Sequence, residues 1–170
     1  IDPGAVEDVL MGCGYPEGPQ GNNVARIASL LAGLPLPLGG ITLNRSCGSS
    51  MSAIHFAAGQ IAIGAGEAYI AAGVESMTMV PPRGGAFAPN PRFRSEERPD
   101  AELMIEAYVS MGRTAENVAA RYGVTRAVQE QFALESQQKA AAAQAAGRFD
   151  DELVAVRAAD GTRVDRDGCL

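Results

Sequence analysis

The first 75 residues alternate between short apolar segments and segments of helical pattern, and this alternation limits the possible folds more than any other feature. Three apolar segments, at about 8–14, 41–43 and 68–72, are typical of buried strands bounded by glycine or polar residues. Two segments of helical pattern separate them, at about 24–31 and 46–63. The order predicted for this part of the chain is therefore β-α-β-α-β.

Short connections between apolar strands favour parallel pairing through right-handed crossovers. We therefore predict an α/β fold with a layered β-α-β-α-β core. The third strand, 68–72, has little polar alternation, which indicates a sheet covered on both faces. Ligands gather at the carboxyl ends of the strands in such sheets, and residues 44–47 lie at that edge.

The composition changes after Met79, where prolines and arginines interrupt the chain. Helical pattern then returns, and Thr125 and Gly147 are suited to the start and end of the longest helix. The predicted elements are helices at about 101–110, 114–122 and 125–146, and a last strand at 152–157. We predict two domains, 1–78 and 79–170, the second mostly helical and both incomplete.

The composition excludes several classes of function. The 170 residues carry a formal net charge of −6, and only 5% of them are aromatic, with no Trp. An acidic chain without a Lys/Arg block or stacking residues is a poor nucleic-acid binder. No apolar run approaches the ~20 residues of a membrane helix, so we expect no membrane partner. Because the chain begins with Ile1, we expect a fragment or a processed form.

The number and spacing of the cysteines and of the single histidine argue against a metal site. Cys13, Cys47 and Cys169 form no Cys-x-x-Cys pair, and His55 is the only imidazole. A zinc site needs about four closely spaced nitrogen or sulfur ligands, so we expect no metal. A disulfide framework is equally unsupported, which favours a reducing compartment such as the cytoplasm.

Cys47 is the strongest candidate for a catalytic residue. It lies where the second predicted strand ends and a helix begins, and Gly48, Ser49 and Ser50 follow it. Unpaired backbone N–H groups and the positive end of a helix dipole favour a thiolate there, and small neighbours admit a bulky electrophile. The alternative is an inert structural cysteine packed beneath a tight turn.

The other polar candidates near this edge support Cys47 less directly. His55 lies eight residues along the same helix, about 12 Å further on, so it cannot serve as the base for Cys47. We interpret it as a core histidine, and a base would have to come from residues outside this chain or from another subunit. The segment Gly12-Cys13-Gly14 lacks the third glycine of a dinucleotide site. For Glu75 we favour a structural hydrogen-bonding role.

Two features of the second region can be interpreted either as structural or as functional. Four arginines in the Pro-rich stretch either contact phosphates or, as we favour, are merely solvated: Arg83, Arg92, Arg94 and Arg98. Met111 begins a helical segment, where a methionine is usually core. It can also line an apolar acyl pocket, because methionine adapts to varied shapes.

Four segments, in the same order along the chain, resemble thiolases. Residues 44–55, Asn-Arg-Ser-Cys-Gly-Ser-Ser-Met-Ser-Ala-Ile-His, are similar to the nucleophile segment of the degradative 3-ketoacyl-CoA thiolases. Residues 72–77 and 111–117 resemble two further signatures of the family, and the run at 132–149 also fits. Ser50 stands where biosynthetic relatives have glycine, and Ser110 where some have histidine, which favours the degradative branch.

The resemblance implies an acyltransferase that cleaves 3-ketoacyl-CoA with CoA. Cys47 would be the nucleophile, Met111 would face the acyl pocket, and the segment after Met79 would belong to a loop domain that binds CoA. CoA would be a substrate, with no further cofactor, and CoA thioesters the only small-molecule partners. The resemblance covers the first half of a subunit, whereas the activating histidine and a second cysteine lie in the other half. It also implies a homo-oligomer.

Three alternatives remain open at this point. One is the biosynthetic direction of the same reaction. A second is a ketoacyl synthase, whose cysteine usually follows Thr-Ala, whereas Arg45-Ser46 precedes Cys47 here. A third is a non-catalytic, thiolase-like lipid carrier or assembly subunit.

Overall fold

The computed structural model describes residues 2–80, 90 and 108–168. It divides the chain into two compact units, Ile1–Ala88 and Pro89–Leu170, and each is described here by itself. The predicted boundary between residues 78 and 79 stays a prediction, since residues 81–89 lie outside the described residues. The predicted helix at 101–110 falls almost wholly outside them as well.

The first unit contains a three-stranded parallel sheet. Its strands are β1 (Asp8–Gly12), β2 (Gly39–Leu43) and β3 (Tyr69–Gly73), in the order β2-β1-β3. Leu10 of β1 pairs in register with Ile41 on one side and with Ala71 on the other. The predicted strand order along the chain and the parallel pairing are both confirmed.

Two helices connect these strands. Helix α1 (Val24–Leu31) follows Asn23, whose Oδ1 accepts a hydrogen bond from the Arg26 N–H at 3.5 Å. Helix α2 (Ser49–Ala62) starts three residues later than predicted, because residues 45–48 form a tight turn before the helix. Two short 3₁₀ helices, η1 (Pro3–Ala5) and η2 (Gly18–Gln20), flank β1.

The core of the first unit is built around β1, the central strand. On one face, Leu10 packs with Ala53 and Ala57 of α2, and it is completely buried. On the other face, Val9 and Met11 pack with Ala25 of α1 and with Leu38. Burying a leucine side chain contributes about 1.5–3 kcal/mol. These contacts hold α1 and α2 on opposite faces of the sheet.

The expectation of a sheet covered on both faces is confirmed, because α1 and α2 pack on its opposite faces. Helix α2 packs on β1 and β3, whereas α1 packs on β1 and β2. Among the described residues, β3 lies at the edge of the sheet and packs against α2, and Ile70 keeps 36% of its surface exposed. Its apolar sequence did not reveal that it would lie at an edge.

The described part of the second unit contains two α-helices and a small hairpin. They are α3 (Met111–Tyr122), α4 (Arg126–Ala145) and the antiparallel pair β4 (Val156–Arg157) and β5 (Arg163–Val164). The predicted start and end of α4 are confirmed: Thr125 Oγ1 accepts the Val128 N–H, and Gly147 has a φ of 66°. The strand predicted at 152–157 shortens to two residues, because a turn precedes it.

Candidate active site

Cys47 is exposed and lies in a tight turn directly before α2, as the sequence predicts. The turn is closed by two backbone hydrogen bonds, from the Gly48 N–H to the Arg45 oxygen at 3.0 Å and from the Ser49 N–H to the Ser46 oxygen at 3.1 Å. The N–H groups of Gly48 and Ser49 are therefore already bonded within the turn. The sulfur lies at the positive end of the α2 dipole.

Side chains on both sides of Cys47 fix the shape of this turn. Ser46 has a φ of 47°, a left-handed conformation that is costly for a residue other than glycine. The buried Ser49 hydroxyl offsets this cost, because it accepts the Arg45 N–H at 2.8 Å and donates to the Ser46 oxygen at 2.6 Å. Asn44 Oδ1 accepts the Ser46 N–H at 2.9 Å. The sequence analysis did not predict that Asn44 and Ser49, on either side of the cysteine, would hold this turn.

Two strand-end glycines allow the start of α2 to approach the sheet closely. A Cβ at Gly12 would collide with the backbone of Ser49 and Ser50, and one at Gly73 would collide with the Ser50 hydroxyl. Gly12 therefore serves helix–sheet packing, in agreement with the rejection of a dinucleotide site at 12–14. The close approach brings the Cys47 turn to the carboxyl ends of β1 and β3.

Cys47 opens into a cavity of about 540 Å³ at this edge of the sheet. Its lining comes from the ends of β1 and β3, their following loops and the start of α2: Gly12, Gly14, Tyr15, Ser46, Cys47, Ser49, Ser50, Gly73, Val74, Glu75 and Met77. A cavity of this size is within the range of small-molecule sites in proteins. Tyr15 and Met77 were not identified from the sequence, since neither belongs to a catalytic pattern.

Glu75 has the structural role that the sequence predicts. Its Oε2 accepts the Gly14 N–H at 2.6 Å, and its Oε1 accepts a hydrogen bond from Gln20 Nε2 at 2.7 Å. Charge-assisted hydrogen bonds of this kind are shorter and stronger than neutral ones. Glu75 therefore ties the loop after β3 to the loop after β1.

Cys13 differs from Cys47 in its exposure and in its neighbours. It is only 1% exposed, and its Sγ–H points to Glu75 Oε1 at 3.9 Å. Burial is the main cause that raises the pKa of the Cys13 thiol, and the Glu75 carboxylate raises it further, against an opposing backbone hydrogen bond at Tyr15. Cys13 is thus held as a thiol.

The interpretation of His55 as a core residue is wrong. His55 is exposed on α2, because the buried side of that helix is formed by Ser49, Ala53 and Ala57. It is also absent from the described lining of the Cys47 cavity, so it does not provide an imidazole there.

Met111 lies in the second unit as the first residue of α3, with 76% of its surface exposed. Its assignment to an acyl pocket stays a prediction. Ser110, just before it, caps the helix by accepting the Arg113 N–H at 3.2 Å. The predicted arginine cluster at 83–98 lies outside the described residues.

Within residues 2–80, 90 and 108–168, no group of three or more His, Cys, Asp or Glu residues is arranged to hold a metal ion. No helix in those ranges combines the length and the apolar character that crossing a bilayer requires.

The family model described as the thiolase N-terminal domain matches residues 1–168. The chain belongs to the thiolase family. The 3-ketoacyl-CoA thiolase of Bacillus subtilis (strain 168) is 46% identical over 153 residues, which are 90% of this chain and 37% of the relative. That of Pseudoalteromonas translucida (strain TAC 125) is 42% identical over 167 residues, 96% of this chain and 41% of the relative.

A third thiolase relative, from Shewanella sp. (strain MR-7), is 44% identical over 161 residues, 94% of this chain and 39% of the relative. The chain thus spans about two fifths of the length of the curated relatives it matches. The thiolase resemblance and the α/β fold inferred from the sequence are both confirmed.

Proposed function

We propose that this thiolase chain provides the nucleophile of an acyl-CoA C-acyltransferase that cleaves 3-ketoacyl-CoA. The observation that carries the proposal is the exposed Cys47 at the start of α2, open to a cavity in a chain of this family. The relatives that match it are named 3-ketoacyl-CoA thiolases, which supports CoA thioesters as substrates and partners.

The proposed reaction proceeds through a covalent intermediate. The Cys47 thiolate attacks the 3-keto carbon, and the bond between C2 and C3 breaks. The two-carbon product leaves as the acetyl-CoA enolate and takes up a proton, while the remaining acyl group stays on Cys47 as a thioester. The thiolate of free CoA then attacks this thioester, releasing the shortened acyl-CoA and regenerating the Cys47 thiolate. CoA is a substrate throughout, and no further cofactor is needed.

The proton transfers need groups that the described cavity lining does not provide. Its one carboxylate, Glu75, is already held by Gly14 and Gln20. The resemblance assigns the base and a second cysteine to the other half of the family's subunits. A place in fatty-acid degradation, a homo-oligomeric state and a cytoplasmic location are further proposals that rest on the same resemblance, as is the contact of Met111 with the acyl chain.

A chimera tests the proposal. The whole chain, residues 1–170, replaces the corresponding N-terminal segment of the Bacillus subtilis relative, and CoA-dependent cleavage of a 3-ketoacyl-CoA is measured. We expect turnover, an acyl mass on the Cys47 peptide after acid quench, and a loss of about a thousandfold or more in kcat on Cys47→Ala. Cys169→Ala, at a cysteine without an assigned role, is the matched control and should keep the activity.

Two outcomes would contradict the proposal. A folded chimera without turnover and without acylation at Cys47 would reject a catalytic nucleophile. If such a chimera still bound acyl-CoA equally well before and after Cys47→Ala, the carrier alternative would be favoured.

A further inference from the structure

Gln20 is an unusual residue to find in the interior of the first unit. It lies at the end of η2 (Gly18–Gln20) and is only 4% exposed. Buried polar side chains are retained where their hydrogen bonds are made, because an unpaired buried amide is costly. What Gln20 bonds to therefore indicates what it is for.

The Gln20 amide joins two loops that follow different strands. Its Nε2 donates to the Tyr15 oxygen at 2.9 Å and to Glu75 Oε1 at 2.7 Å. Its Oε1 accepts the Ser76 N–H. The loop after β1 and the loop after β3 are thus tied together through one side chain, and the Gly14 N–H to Glu75 contact adds a second tie.

These two loops contribute a part of the cavity lining that is separate in the chain from the nucleophile turn. We call this part the far wall, and its residues are Gly14, Tyr15, Val74, Glu75 and Met77. The nucleophile turn is held separately, by Ser49 and Asn44. The width of the cavity in front of Cys47 therefore depends on how firmly Gln20 holds the far wall.

Only a side chain with a donor and an acceptor can make this set of contacts. The amide donates to the Glu75 carboxylate and accepts from the Ser76 N–H. A carboxylate at position 20 keeps the size and the acceptor but loses the donor, and it places a second negative charge beside Glu75. An apolar residue leaves both partners unpaired.

We infer that Gln20 is a positioning residue that sets the far wall against the acyl group carried on Cys47. The inference rests on the proposed acyl transfer at Cys47. Gln20 itself touches no reacting atom, and it acts through Glu75, Tyr15 and Ser76. Its removal should disturb how the acyl chain is held and leave the nucleophile intact.

The test uses the active chimera and a charge swap. Gln20→Glu should lower kcat/KM by about tenfold or more, with a raised KM, because a buried donor is lost and two carboxylates face each other. In the double variant Gln20→Glu/Glu75→Gln, donor and acceptor exchange places between the two side chains, and we expect part of that loss to be recovered, because the Tyr15 oxygen stays unpaired. Iodoacetamide should alkylate Cys47 within about twofold of the wild-type rate in every variant, because the sites are not directly coupled.

An exposed Gln–Glu pair in the second unit provides the matched control. Gln131 Nε2 donates to Glu135 Oε1 at 2.9 Å on the surface of α4. Gln131→Glu makes the same change in charge and should leave kcat/KM unchanged. The inference is overturned if Gln20→Glu equals the wild type, or if the swap is no better than the single variant. An inactive wild-type chimera would instead reject the proposed function.

Discussion

Helix α2 differs from the helices of the second unit in whether a side chain caps its start. Ser110 and Thr125 cap α3 and α4, each accepting an N–H from the residue three places later. Helix α2 starts after Gly48 and has no side-chain cap. The helices also differ in burial. Ala53 and Ala57 of α2 are buried against the sheet, whereas α3 and α4 have no buried residue.

This difference shows how a helix start becomes available for chemistry. A side-chain cap contributes about 0.5–2 kcal/mol but occupies the N–H groups at the start of the helix. Packing against β1 fixes α2 without such a cap, so no capping side chain covers the start of the helix beside Cys47. Helices α3 and α4 depend instead on local contacts, such as the exposed Arg126–Glu130 pair at 2.7 Å.

The largest expected effect comes from displacing α2 at its uncapped start. Gly12→Val places side-chain atoms where the backbone of Ser49 and Ser50 lies, and we expect the first unit to lose more than about 3 kcal/mol. Gly59→Ala, in the same helix but with open space around it, is the control and should gain about 1 kcal/mol. Urea unfolding followed by circular dichroism measures both. Equal effects would show that packing does not hold α2.

A smaller loss of stability is expected when a large side chain is removed from each of the two units in turn. Leu10→Ala removes a completely buried side chain and should cost about 2–5 kcal/mol of the free energy of unfolding. Phe132→Ala removes a larger side chain from α4 that is 75% exposed, and should cost about 0.5 kcal/mol or less. Chemical unfolding of the chain checks both values. A larger loss for Phe132→Ala would contradict the view that α4 is held locally.

The same contrast explains what the sequence could predict. The order of strands and helices along the chain, the cap at Thr125 and the position of Cys47 before a helix all follow from neighbours in the chain, so pattern and residue type were enough. Glu75 was placed correctly at a strand end for the same reason.

What could not be predicted depends on residues far apart in the chain. Gln20 and Glu75 are 55 positions apart, and no spacing rule connects a glutamine in a Gly/Pro loop to a strand end. The exposure of His55 and the edge position of β3 depend on which helix covers which strands. Apolar composition alone does not predict that packing. Ser46 needed its left-handed φ to be seen before the role of Ser49 became clear.

The smallest effect tests whether capping really holds the second unit. Thr125→Ala removes the oxygen that accepts the Val128 N–H at 3.4 Å, and should cost α4 about 1 kcal/mol. Thr125→Ser keeps the hydroxyl and should retain most of that stability. Hydrogen exchange of the first-turn amides of α4 measures the change, which should fade along the helix. Protection that stays equal in both variants would mean that α4 is stabilised by something other than its cap, and the distinction between packed and capped helices would fail.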